Sequence, residues 1–157
     1  MIEELIEDKK IFFSQPLFSN DMNYYSSTPI DTFKKKEIKK IVKYSLKWCI
    51  SEFGPNNRKQ LPITIDFDHY GDDMPGYYGM YCPVENVIYI NLDECNTLGR
   101  LTSTIIHEFT HYKQPILTKY AKAHKEHGYW DNPFEVEARQ VEKKFNRYLL
   151  SDLRANL

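Results

Sequence analysis

The stretch TLGRLTSTIIHEFTHYKQP, Thr97 to Pro115, constrains the fold of this chain more than any other. Leu98, Ile105 and Phe109 recur at helical spacing and define one apolar face, and a helix starting near Thr97 or Leu98 has to bury it. Pro115 disfavours helical backbone in the residue before it, so the helix ends at about Gln114. His107 and His111 point away from that face, with Arg100, Ser103, Thr104 and Gln114 beside them, which predicts a helix backed by the core and fronted by a polar cleft.

The remaining elements are read by the same means. Residues 1–30 combine a short amphipathic piece with a turn-rich, aromatic stretch and are expected to wrap the domain. From Asp31 a long helix carries Ile38, Ile41, Val42, Cys49 and Phe53 on one stripe and stops at Gly54-Pro55. Ile63, Ile65 and Phe67 alternate with polar residues as in a strand, and residues 77–91 read as a two-stranded hairpin with turn residues before it at Gly71 to Gly76. A short helix to His127-Gly128 follows. The last helix starts at Asn132, a good N-cap, with Pro133 in its first position and Phe134, Ala138, Val141 and Phe145 as its buried stripe. The fold class is α+β: an N-terminal helix, a small, mostly antiparallel three-stranded sheet, and C-terminal helices in a single domain spanning 1–157.

Charge and cysteine usage narrow the setting. With 21 Lys and Arg against 22 Asp and Glu, nothing favours a nucleic acid or an anionic membrane as partner. Lys34-Lys35-Lys36 with Lys39 and Lys40 reads as a solvated helix face. The acidic start lacks the form of a secretory signal, no segment has the length of a membrane helix, and Cys49, Cys82 and Cys95 form no CxxC pair. A cytoplasmic protein with reduced thiols is expected.

Residues four apart on a helix share a face, so His107 and His111 can offer two ring nitrogens to one ion at the Zn–N distance of about 2.0–2.1 Å. Glu108 lies about 100° round the helix, badly placed for a ligand and well placed to reach a water at an open coordination position. A catalytic zinc needs a third protein ligand. A metzincin would supply a histidine ten residues after the first, where this chain has Leu117. The third ligand is then sought on the last helix, where Glu135 and Glu137 both occur; Glu137 lies slightly nearer the predicted stripe, and Asn132-x-x-Glu135 also fits a capping box.

HEFTH at 107–111 followed by EVEAR at 135–139 resembles the gluzincin-like arrangement of zincin metallopeptidases, in which a helix after HExxH supplies a glutamate. The resemblance covers the order of elements from about 31 to 150, and EVEAR is similar to the glutamate motifs of several small intracellular and phage-type families. It implies a zincin-like fold, zinc bound by His107, His111 and Glu135, and peptide hydrolysis with Glu108 as general base. The chain departs at Arg139, where those families carry Asp or Asn, so the contact orienting a ligand histidine has to come from elsewhere, Asp131 for example.

A peptide or protein substrate follows from this reading. His124, His127, Tyr129 and Tyr112 are candidates to stabilise the oxyanion, with His127 and Tyr129 favoured because they precede the glutamate helix. Either GYYGMY or NVIYIN would offer an edge for an added substrate strand. The alternative is a zincin-fold regulatory protein, or an accessory protein of phage type, that binds without cleaving.

Overall fold

The computed structural model describes residues 24–59, 61–69, 76–115 and 117–157. Most of the expected wrapping segment and residues 71–75 of the turn before the hairpin lie outside them. A short 3-10 turn, Ile30–Thr32, leads into helix α1, Lys35–Phe53; strands β1, Thr64–Asp66, β2, Gly79–Cys82, and β3, Val87–Ile90, come next, then helices α2, Leu98–Lys113, α3, Leu117–Asp131, and α4, Pro133–Asn156. No helix among the described residues is long and apolar enough to cross a membrane.

The stripe of α1 is buried as its spacing requires, Ile38, Ile41, Val42, Trp48 and Cys49 facing inward. Its backbone ends on Gly54 at φ 79°, a left-handed conformation that suits glycine. Trp48 Nε1 donates to Asp152 Oδ2 at 2.7 Å and ties α1 to the far end of α4.

The sheet corrects one expectation. Its order is β1-β3-β2, with β2 and β3 antiparallel but β1 and β3 parallel, so it is mixed rather than mostly antiparallel. The chain leaves β1, crosses to the opposite edge to form β2, and returns through the tight turn 83–86 to place β3 in the middle. Asn86 closes that turn at φ 57°, accepts from Tyr81 Oη at 2.6 Å and donates to the Leu61 carbonyl at 2.6 Å. Ile88 and Ile90 of the central strand are fully buried. Of the two candidate edges, NVIYIN is the central strand and only GYYGMY supplies an edge strand, with no further strand beside it among the described residues.

Helix α2 lies between the sheet and α4, and the polar face predicted for it is largely covered. Thr102, Ser103, Thr104 and Thr110 are buried along with Leu98, Leu101, Ile105, Ile106 and Phe109. Their hydroxyls are satisfied: Thr104 Oγ1 donates to the Arg100 carbonyl at 2.7 Å and Thr110 Oγ1 to the Ile106 carbonyl at 2.8 Å, within the helix, while Thr102 Oγ1 reaches Asn146 Oδ1 of α4 at 2.6 Å. A polar side chain bonded back to its own helix can be buried without an orphaned group, which periodicity alone does not register. Strand β2 can approach α2 closely because residue 79 is glycine; a Cβ there would meet Thr104 Cγ2 and the Tyr89 carbonyl oxygen at 2.8 Å.

Candidate metal centre

Two helix starts set the site. Thr97 caps α2, its side chain accepting from Arg100 N at 3.1 Å, and Asn132 caps α4, accepting from Phe134 N at 3.0 Å with Pro133 in the first helical position. The capping-box alternative for Glu135 fails: its carboxylate turns away from the helix start toward α2. Glu135 is only 3% exposed, whereas Glu137 lies on the surface and accepts from Gln114 Nε2 at 3.1 Å. The sequence wheel anchored the stripe on Phe134, but the buried face runs through Glu135, Ala138, Val141 and Phe145, and Phe134 lines a cleft instead.

His107 Nε2 lies 2.9 Å from Glu135 Oε1, and His111 Nε2 lies 3.0 Å from Glu135 Oε2. The ligating atoms of these three residues fall within 4.8 Å of one another, a group that can hold a metal ion. The other ring nitrogens are occupied: His107 Nδ1 pairs with Glu142 Oε1 at 3.0 Å and His111 Nδ1 with Gln114 Oε1 at 2.7 Å. Holding Nδ1 fixes each ring with Nε2 presented to the centre, the usual way a ligand histidine is oriented. Two imidazole nitrogens and one carboxylate, all largely buried, are a donor set suited to a borderline divalent cation.

The electrostatics follow the contacts. Burial opposes protonation of His107, but the carboxylates of Glu135 and Glu142 outweigh it and push it up to about 10. Burial likewise opposes charge on Glu135, and the two histidines with the Tyr120 hydroxyl reverse this, holding it well below the usual carboxylate range. Tyr120 Oη donates to Glu135 Oε2 at 2.5 Å.

Glu108 is 8% exposed, sits beside the cluster, and accepts a hydrogen bond from the Tyr81 backbone of the edge strand. Burial raises its pKa, partly offset by the two histidines. A cleft of about 460 Å³ opens here, with Glu108, His111 and Glu135 at one side and Gly79, Met80 and Tyr81 at another. Its walls are aromatic and aliphatic where a polar cleft was expected.

The oxyanion candidates separate. Tyr129 lines the cleft, and burial together with the negative charge of Glu135 and Glu108 raises its pKa to about 12, so its hydroxyl stays protonated at neutral pH. His127 is not brought to the cluster; half exposed, it faces Glu126 at 3.8 Å, because Gly128 at φ 76° breaks α3 and separates the directions of residues 127 and 129. His124 is exposed and stacks on Tyr120, while Tyr112 is buried with its hydroxyl accepting from Asn56 N at 2.7 Å. The histidine-orienting role suggested for Asp131 falls to Glu142. Arg139 donates to the Trp130 carbonyl with its guanidinium 4.8 Å from that ring.

Glu142, Gln114 and Tyr120 are the contacts that sequence reasoning missed. Glu142 stands two turns after Glu135 on the same face of α4, and Gln114 three residues after His111, so both had a readable spacing. Tyr120 had none. No family model, curated protein or solved structure matches the chain, so the geometry of the site carries the functional reading.

Proposed function

We propose that this protein is a zinc-dependent peptidase of zincin type. The observation that carries the reading is the convergence of His107, His111 and Glu135 on one point, with the uncoordinated carboxylate of Glu108 buried next to it at the mouth of a cleft. Keeping a third carboxyl group buried there, alongside Glu135 and Glu142, is costly even with the Tyr81 backbone hydrogen bond it accepts; proton transfer is the use that accounts for it. This favours catalysis over a binding protein that merely retains the metal.

His107, His111 and Glu135 would hold the ion, with Glu142 and Gln114 fixing the two rings. Zinc bound there supplies Lewis acidity toward a substrate carbonyl and acidifies a water. Glu108 accepts the proton of the attacking water and delivers it to the leaving amine, and its burial brings the carboxyl closer to the pH at which both transfers are efficient. The protonated Tyr129 hydroxyl faces the same cleft as the donor toward the oxyanion. The outer edge of β2, apart from the Tyr81 N–H that Glu108 takes, would offer backbone groups to an extended peptide.

The test is cleavage of a peptide library or denatured protein that a zinc chelator abolishes. Glu108→Gln is expected to keep bound zinc near the wild-type level and to lower the rate by roughly 10²–10⁴-fold. Chelator-insensitive cleavage, or none by the zinc-loaded wild type, removes the peptidase reading.

A further inference from the structure

The cleft has features that bond cleavage does not use. At about 460 Å³ it falls in the range of ligand clefts, roughly 300–1,000 Å³, which accommodates a few residues of extended chain and not a folded partner. Tyr77, Met80, Tyr81, Pro83 and Phe134 give the cleft its apolar lining, and Lys59 is the one Lys or Arg among the described residues that line it.

Lys59 has little to hold it. Its Nζ donates to the Pro83 carbonyl at 3.4 Å and lies 5.8 Å from the centre of the Tyr81 ring, and among the described residues no carboxylate pairs with it. Other basic groups near the site are engaged: Arg100 stacks on Tyr78 beside Glu142, and Arg139 on Trp130. An ammonium group has three donors, and one long bond leaves capacity for an anionic partner.

Its position along the cleft is specific. Tyr81 connects the two ends, with its backbone N–H on Glu108 and its ring beside Lys59, and Pro83 is two residues further on. Two residues of extended chain span about 7 Å. Lys59 therefore sets a positive charge beside the Tyr81 ring, one side chain away from the Tyr81 backbone contact with Glu108, and an acidic side chain of a bound peptide has a partner there.

Building on the peptidase reading above, we propose that the substrate is a peptide with a large apolar side chain against this lining and an acidic side chain within about two residues of the scissile bond. Lys59 is then the specificity-determining residue.

The experiment separates binding from cleavage. Zinc-loaded Glu108→Gln protein is titrated, with fluorescence anisotropy as readout, into two labelled peptides identical except that Glu or Lys flanks a central Phe two residues away on both sides. The Glu peptide is expected to bind about 3–5-fold more tightly, the scale of a partly exposed ion pair. Lys59→Gln should erase the preference and Lys59→Glu invert it. The same ratio in all three proteins, or no binding of either peptide, overturns the proposal. The Glu peptide is also offered to protein with Glu108 intact; the predicted charge preference without cleavage would support the Lys59 site and overturn only the peptidase reading.

Discussion

Helices α2 and α3 are adjacent in sequence and built on opposite principles. Two of the three candidate ligands, His107 and His111, come from α2, which is buried nearly all round, with Phe109 packed on Phe53 and Tyr112. By contrast α3 is largely exposed, breaks at Gly128, and lends Tyr120 and Tyr129 to the cleft from a segment whose Trp130 is 70% exposed. On the proposed reading, groups that would hold an ion in fixed geometry sit where the core over-determines them, and groups that would meet a changing substrate sit where the backbone has room.

Truncations in the two helices should therefore differ sharply. Phe109→Ala is expected to cost about 3–5 kcal/mol by chemical denaturation, as for an aromatic removed from a packed core. Trp130→Ala, which loses a surface stack with Arg139, should cost about 0.5–1 kcal/mol. Equal costs would erase the distinction.

A smaller effect sharpens the contrast within the site. Glu142→Gln leaves every ligand in place but weakens the hold on His107 Nδ1, and is expected to lower zinc affinity about 10–100-fold in a competition titration. Glu137→Gln, at the surface, should leave affinity unchanged.

Proton competition gives the most gradual effect. In the metal-free chain the carboxylates of Glu135 and Glu142 keep His107 protonated up to about 10, while a ligand imidazole must be neutral. Binding has to expel that proton, so apparent affinity should rise as pH rises through the neutral range, by up to about tenfold per pH unit for one proton released. Glu135, held below the usual carboxylate range, contributes no counter-trend there. A flat profile between pH 6 and 9 would contradict these contacts.

How much of this was legible depended on whether the signal was local. The i,i+4 histidines, the helix start near Thr97, the cap at Asn132, the stop at Pro115 and the hairpin turn are properties of a few neighbouring residues, and the structure has them where the sequence puts them. The place of β2 at the far edge was not legible, because a two-residue periodicity says which face is buried and nothing about strand order. Nor was the burial of Ser103, Thr104 and Thr110, since a hydroxyl bonded to its own helix looks polar in composition and behaves as satisfied in the core. Spacing alone left Glu135 and Glu137 unresolved. Packing of α4 on α2 separates them, turning one carboxylate to the histidines and the other to solvent.

The central claim is that His107, His111 and Glu135 hold one metal ion. Its most direct test is metal analysis of the chain purified without added metal, alongside His107→Ala, His111→Ala double-mutant protein. Near one zinc per wild-type chain and almost none in the double mutant is the predicted result; no bound metal in the wild type, or the same content in both, would contradict it.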